Sequence, residues 1–276
     1  MMGNALFRIL PVVDKIEVFG TVRSGAHLAH FTAERREHVV TGVDILQDHT
    51  VVRALERVRP HVVINAVGII KQLDTANDPL MSLPLNALFS HRLAGYCALL
   101  GARMIQLSSD CVFSGRKGMY TEEDLPDAED LYGQSKAMGE IKNRPHVLTL
   151  RTSGIGHEKG TANGLLEWFL AQQGSVRGFR HAIYSGLPSV ELARIIRQWV
   201  LPHAELHGLY HLSAAPISKL ELLQLIATEY GKQIEIRPDD TLRVDRSLDS
   251  SRFRAATGFA PEPWPKLIAR MFSQRH

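Results

Sequence analysis

Tyr132 and Lys136, four positions apart in Leu131-Tyr132-Gly133-Gln134-Ser135-Lys136, are the residues of this chain whose types and spacing most readily do chemistry. On a helix the two share a face, and an ammonium close to a phenol favours its ionised form, so the pair reads as a proton-transfer site. The same spacing on a solvated helix face does no chemistry, so the surrounding sequence has to decide. Upstream, Arg103-Met104-Ile105-Gln106-Leu107 is a short apolar run suited to a buried strand, and it ends in Ser108-Ser109-Asp110. Hydroxyls at the carboxyl end of a parallel strand stand where open α/β sheets bind ligands, which makes Ser109 a third candidate.

A sheet has to position these groups, and the chain alternates strand and helix patterns. Residues 4–11 read as a helix with Ala5, Leu6, Ile9 and Leu10 on its apolar side, 15–21 and 39–44 as strands, and 48–58 as an amphipathic helix. Residues 62–68 are apolar on both faces, as in a parallel strand covered on both sides. A helix over 83–100 closed by Gly101, the Ser109 strand, a polar loop, the Tyr132 helix and a strand over 146–151 follow. This order predicts right-handed crossovers and a doubly wound α/β sheet. Beyond Arg151 the pattern loosens into helices at 164–172 and 190–200, a strand at 208–213 and a helix at 218–230 capped by Ser218, which suggests a smaller C-terminal domain.

Composition narrows the partners. The 276 residues are 45% hydrophobic and 22% charged, ordinary for a soluble globular protein. A net charge of +3 suits an anionic small molecule and is too mild and dispersed for nucleic acid. Cys97 and Cys111, each in an apolar stretch, read as buried thiols in a reducing compartment, with no disulfide and no metal spacing. Residues 1–13 are apolar but lack a basic start and a small-residue cleavage site before Asp14-Lys15, and no apolar run nears the ~20 residues that span a bilayer, so a cytoplasmic protein is expected. The acidic run Glu122-Glu123-Asp124 reads as a solvated loop, and no metal is assigned.

With these residues in view, the chain resembles the extended short-chain dehydrogenase/reductases, and among them the dTDP-4-dehydrorhamnose reductase-like nucleotide-sugar reductases. The carriers are Val63-Ile64-Asn65-Ala66-Val67-Gly68, Leu85-Asn86-Ala87, and Leu107-Ser108-Ser109-Asp110-Cys111-Val112-Phe113-Ser114-Gly115. They continue through Tyr120-Thr121-Glu122-Glu123-Asp124, Tyr132-Gly133-Gln134-Ser135-Lys136, Arg151-Thr152-Ser153 and Gly208-Leu209-Tyr210-His211-Leu212-Ser213. The resemblance implies a Rossmann-type NAD(P)-binding domain over 1–151, with 183–201 packing back onto it, and a mainly substrate-binding domain over 152–276. It implies hydride transfer from a nicotinamide cofactor to a sugar carbonyl, in cell-surface polysaccharide synthesis. Tyr132 donates the proton, Ser109 holds the carbonyl oxygen, and Lys136 lowers the Tyr132 pKa and binds the nicotinamide ribose. Asn86 supports a proton relay or ties helix to strand. Asn65, Ala66 and Val67 line the cofactor, and the resemblance leaves room for a homodimer.

The chain departs from that family at its start, where a strand and a T-G-x-x-G-x-x-G turn carry the cofactor pyrophosphate onto a helix N-terminus. Met1-Met2-Gly3-Asn4-Ala5-Leu6 matches the last third of that motif, with Gly3 as its final glycine and the first strand absent. In the order 3-2-1-4-5-6 that strand is central, so its absence splits the sheet and bares the sides of two strands. Two accounts of the absent strand stand: a start codon upstream of Met1, or a strand supplied by another chain. A competing reading makes 16–20 the first strand, Gly20-Thr21-Val22-Arg23-Ser24-Gly25 the phosphate loop and Asp44 the ribose acid; it lacks two of three glycines and strands the first helix. In the favoured reading 17–22 is the second strand, Thr21, Arg23 and Ser24 reach the adenosine ribose, and Asp44-Ile45 meets the adenine. No carboxylate stands there to repel a phosphate, and Arg23 pairs with a 2′-phosphate, which favours NADP over NAD.

Substrate residues are harder to read. Lys71 meets a diphosphate or solvent, and Asp110 sits beside the candidate serine. Arg177 and Arg180 in Val176-Arg177-Gly178-Phe179-Arg180-His181 suit a nucleotide diphosphate or belong to a basic loop, while Trp168 stacks on a base or packs in the core. Three functions stay open: an NADPH-dependent 4-keto nucleotide-sugar reductase, an epimerase or dehydratase of the same family, and a non-catalytic NADP-binding regulatory subunit.

Overall fold

The computed structural model describes residues 1–12, 16–158 and 162–275. In chain order the strands are β1 (Gly20–Val22), β2 (Val39–Thr41), β3 (Val62–Asn65), β4 (Arg103–Ser109), β5 (Val147–Thr152), β6 (Gly154–Ile155), β7 (Ser175–Tyr184), β8 (Leu187–Pro188), β9 (Gly208–His211), β10 (Ile217–Ser218) and β11 (Glu235–Asp245). The α-helices are α1 (Met2–Ile9), α2 (Ala33–Arg36), α3 (Asp48–Val58), α4 (Pro79–Ser82), α5 (Phe89–Leu100), α6 (Leu131–Met138), α7 (Leu165–Ala171), α8 (Ser189–Ile195), α9 (Lys219–Tyr230), α10 (Ser251–Thr257) and α11 (Trp264–Ser273).

Side-chain alternation along β4 explains the layers. Met104 joins Val147 in a cluster with Val51 of α3 and Phe89, Leu93 and Cys97 of α5, whereas Ile105 and Leu107 join Leu148 and Leu150 in a cluster with α1 and α8. Helices therefore cover both faces of a parallel sheet ordered β3-β4-β5-β9, the α/β class that the alternating pattern predicts. The second cluster continues without a break into Leu222 and Ile226 of α9, Phe253 of α10 and Ile268 of α11, so one core runs across position 151. The strand at 208–211, read from sequence among the pieces beyond Arg151, bonds to β5 and completes this sheet.

The sheet is split. β1 and β2 pair in parallel with each other, and among the described residues no strand bonds to β3 on the side away from β4. The strand expected at 15–21 pairs only over Gly20–Val22, and Lys15 lies outside the described residues. Val62, Val63 and Ile64 are only half-buried, while every residue of β5 is buried. Covering on both sides therefore holds for β4 and β5 but not for β3, because an apolar strand with an open edge keeps part of its surface in water. Phe7 of α1 fills the region beside β1, lying against Gly20 and edge-on to Phe31 at 5.3 Å.

Local signals placed two helix ends. Gly101 closes α5 in the left-handed region at φ 66°, and Ser218 caps α9 in a reciprocal pair with Glu221. α4 runs through a π-helical stretch, Leu83–Leu88, into α5. Residues 176–181, which the sequence offers as a diphosphate contact or a basic loop, lie within β7, flanked by antiparallel β10 and parallel β11. Arg177 and Arg180, both exposed but three positions apart, break its alternation, and its partner β11 carries Pro238, Asp239 and Asp240, which mask a strand pattern.

Candidate active site

Three elements converge at the carboxyl end of β4. Ser109 ends that strand, buried, with its hydroxyl donating to Asp110 at 3.1 Å and accepting from the Cys111 amide at 3.0 Å. α6 starts beside it, because Asp130 caps the helix by accepting from the Gly133 amide at 2.8 Å and also takes the Lys71 ammonium at 2.6 Å. Glycine at 133 is required by approach: a Cβ there would collide with the Cys111 carbonyl. Lys136 lies one turn beyond Tyr132, buried, and donates to the Leu107 carbonyl of β4 at 2.9 Å. Asn86, in the π-helical stretch, donates to Ser135 at 3.0 Å and accepts from the Ile69 amide at 3.0 Å. Asn86 thus ties the exit of β3 to the helix of Tyr132 and Lys136, and local π geometry commonly marks such sites.

Burial sets the electrostatics. It raises the Tyr132 phenol well above its usual pKa, Cys111, Asp110 and Asp130 adding to the effect while Ser109 opposes it. Lys136 is not among the groups that shift this phenol; its ammonium donates one hydrogen bond to the Leu107 carbonyl. Burial pulls Lys136 itself down to about 8, against the pull of Glu140 and Cys111. The Cys111 thiol is pushed up to about 12, mainly by desolvation, and burial also raises the Asp110 carboxyl despite hydrogen bonds from Ser109 and the charge of Arg246. A half-buried phenol with a raised pKa beside a serine hydroxyl is equipped to donate a proton to a carbonyl oxygen. No group of three or more His, Cys, Asp or Glu side chains is placed to hold a metal among the described residues.

The residues proposed for a cofactor are unevenly placed. Gly3 opens α1, with its Cβ position 3.8 Å from Ala66 just past β3, and Met1 makes no side-chain cap at that helix end. Val67 is exposed beside it, and Arg23 and Ser24 are exposed after β1. Ser24 caps a 3-10 turn, accepting from the Ala26 amide at 3.3 Å, so 20–25 is a strand end and turn and not a glycine loop feeding an α-helix. Ile45 is half-buried beyond β2, and Asp44 accepts from the Leu46 amide at 3.0 Å. The Asn65 side chain is buried, donating to Gln106 at 2.8 Å and accepting from the Val67 amide at 3.1 Å, so it braces the sheet.

Residues 15–276 match the family model described as the RmlD substrate binding domain. The chain belongs to this family. Over 98 residues it is 35% identical to methionine adenosyltransferase 2 subunit beta of Rattus norvegicus, covering 36% of this chain and only 29% of that protein's length. With the dTDP-4-dehydrorhamnose reductase of Aggregatibacter actinomycetemcomitans it shares 23% identity over 255 residues, 82% of this chain and 85% of that one. Its fold is similar to the crystal structure of dTDP-4-dehydrorhamnose reductase from Bacillus anthracis in complex with NADP, with a TM-score of 0.75 and 22% identity over 93% of this chain and 98% of that one.

On this RmlD-family chain a cleft of about 840 Å³ opens beside the Asp130 cap, lined among others by Arg116, His181, Arg243 and Arg246. Arg246 donates to the Phe113 carbonyl at 2.7 Å, and Arg116 pairs with Glu129, whereas Arg243 makes no ion pair among the described residues. Sequence reasoning missed all three, because they lie in a polar loop and on an irregular strand far from the motif. The residues it named instead are placed elsewhere. Arg177 pairs with Asp239 at 3.4 Å and Arg180 with Asp240 at 2.8 Å across β7 and β11, and Trp168 is part-exposed on α7; none lines the cleft. Lys71 is committed to the helix cap, and Asp110 stays at the serine.

Proposed function

We propose that this chain reduces the 4-keto group of a nucleotide sugar with NADPH, in cell-surface polysaccharide synthesis. The observation that carries the reading is the half-buried Tyr132, its pKa raised by desolvation, beside Ser109 and one turn before Lys136, next to a cleft lined by Arg116, Arg243 and Arg246. When bound, the dinucleotide supplies a hydride to the keto carbon. Tyr132 gives its proton to the carbonyl oxygen as negative charge builds there, and Ser109 orients that oxygen. Lys136 binds the ribose beside the reacting ring, and its ammonium restores the phenol proton. Arg243 and Arg246 hold the diphosphate, for which planar guanidinium forks are suited.

The chain's own residues fit the dinucleotide. The α1 N-terminus has no acidic residue in its first turn, its first intrahelical bond runs from the Ala5 amide, and the preceding amides, which bond to no group among the described residues, would take a pyrophosphate next to Ala66. Arg23, exposed after β1, is assigned to the 2′-phosphate. Arg23→Ala should weaken NADPH binding about tenfold and leave NADH unchanged, as read by fluorescence titration; equal losses would remove the phosphate role.

A regulatory-subunit reading is favoured by one finding, the 35% identity to a subunit named beta of methionine adenosyltransferase. Turnover of a panel of 4-keto nucleotide sugars with NADPH separates the two. Oxidation of NADPH by one of them establishes the reductase, and tight NADPH binding with no turnover of any establishes the subunit.

A further inference from the structure

The guanidinium-lined cleft also carries a histidine that the proton transfer does not use. His181 of β7 and Arg243 of β11 are register partners in parallel strands, so their side chains stand side by side on one face, about 5 Å apart at the backbone, and both line the cleft. The register of β11 shifts just before Arg243, and Asp240 lies in that irregular stretch. One of its carboxylate oxygens takes Arg180 at 2.8 Å and the other faces Nε2 of His181 at 3.2 Å. The half-exposed imidazole is thus oriented through Nε2, while Nδ1 bonds to no group among the described residues.

The other charges around it are committed elsewhere. On the cleft lining Arg116 pairs with Glu129, and Asp130 takes Lys71 at 2.6 Å. Asp245 accepts from the Ser247 amide at 2.9 Å and hydroxyl at 2.6 Å, and Arg246 donates to the Phe113 carbonyl. On β11, Asp239 is held by Arg177 and Thr241. α9 covers the other face of β7, against Gly178, where Lys219 at its start feels the charges of Arg246 and Asp110; β10, Ile217–Ser218, carries no titratable side chain.

Resting on the reading of this cleft as the diphosphate site, we propose that His181 is a substrate-binding residue that acts as an imidazolium, so that the nucleotide sugar binds together with a proton. With Nε2–H directed to Asp240, the neutral ring has its lone pair on Nδ1 and offers an anion nothing. Protonated at Nδ1, it becomes a second donor beside Arg243. In the empty cleft Arg243 opposes that charge, and Asp240, shared with Arg180, offsets it only in part. A diphosphate brings two negative charges and reverses the balance. Histidine changes charge between about pH 5 and 8, and a ligand that favours the charged form is bound more tightly as pH falls through that range.

The test is calorimetric titration of the full chain with dTDP-glucose, UDP-glucose and GDP-mannose, which have no keto group and whose diphosphate diesters keep their charge over this range. Run in buffers of different ionisation heat, it counts the protons taken up. Binding should be about three- to tenfold tighter near about pH 5.5 than near about pH 8, with proton uptake between. His181→Asn should remove both the uptake and the pH dependence, and His181→Lys, with a fixed charge, should keep the tighter binding at both ends. Binding that is weakened by Arg243→Ala but takes up no proton, or whose uptake persists in His181→Asn, overturns the proposal alone. Binding of none of the three sugars, or binding that Arg243→Ala leaves unchanged, removes the cleft reading and the proposal with it.

Discussion

The two flanks of the parallel sheet are built to different standards. On the β4–β5 flank every residue of β5 is buried, α6 is drawn in to contact at Gly133, and charges as deep as Arg151 and Glu140 are paired at 2.7 Å. On the β1–β3 flank the strands are short, β3 is half-buried, and Arg23, Ser24 and Val67 face solvent. Proton chemistry needs groups fixed to within about half an ångström, and this is found on the closed flank. The open flank carries the residues assigned to the dinucleotide, where a missing sheet neighbour leaves backbone and apolar surface to water.

The sharpest way to break this contrast is at its chemical centre. Tyr132→Phe should lower turnover by roughly 10²–10⁴ while leaving NADPH binding intact, because only the transferred proton is lost. Near-normal turnover in a steady-state assay would take Tyr132 out of the mechanism. Next in size, Leu150→Ala on fully buried β5 should cost about 2–5 kcal/mol of stability, while Val63→Ala on β3 should cost about 1 kcal/mol. Urea unfolding that gives equal losses would mean that β3 is as well covered in solution as β5.

Acid should also act on the closed flank. The folded-state pKa of His211, about 4, lies below the usual 6.5, so as pH falls the unfolded chain binds its proton first. Stability present above pH 6.5 is therefore lost between 6.5 and 4, by up to about 3 kcal/mol, and His211→Asn should flatten the melting temperature across that range. The smallest effect lies in the cleft. Arg243→Ala should raise KM for the nucleotide sugar about tenfold with little change in kcat, whereas Arg180→Ala, already paired with Asp240, should stay within about twofold. Equal effects would return Arg180 to the substrate side.

Much of the closed flank was legible before the structure. The apolar run into Ser109, the Tyr132–Lys136 spacing, Gly101 and Ser218 are local signals, since a strand, a helix face or a cap involves residues a few positions apart. The open flank was legible only as a mismatch, from an opening segment that matched the last third of a longer motif. What escaped were pairings between distant residues. Lys71, which by sequence meets a diphosphate or solvent, bonds to Asp130, 59 positions on; Arg177 and Arg180 find Asp239 and Asp240 about 60 positions on. β7 escaped because its outward charges and single glycine look like a loop until β11 lies alongside.

The sequence by itself determined the alternating α/β order, the helix ends at Gly101 and Ser218 and the spacing that puts Tyr132 and Lys136 one turn apart, because each rests on short-range periodicity or stereochemistry. Tertiary structure alone decided how those groups behave. It raised the pKa of the half-buried phenol by desolvation, turned the Lys136 ammonium onto the Leu107 carbonyl, and gathered Arg243 and Arg246 into one cleft. It also stopped the sheet's pairing between β1 and β3, since desolvation, charge pairing and strand edges depend on neighbours that the linear chain does not name.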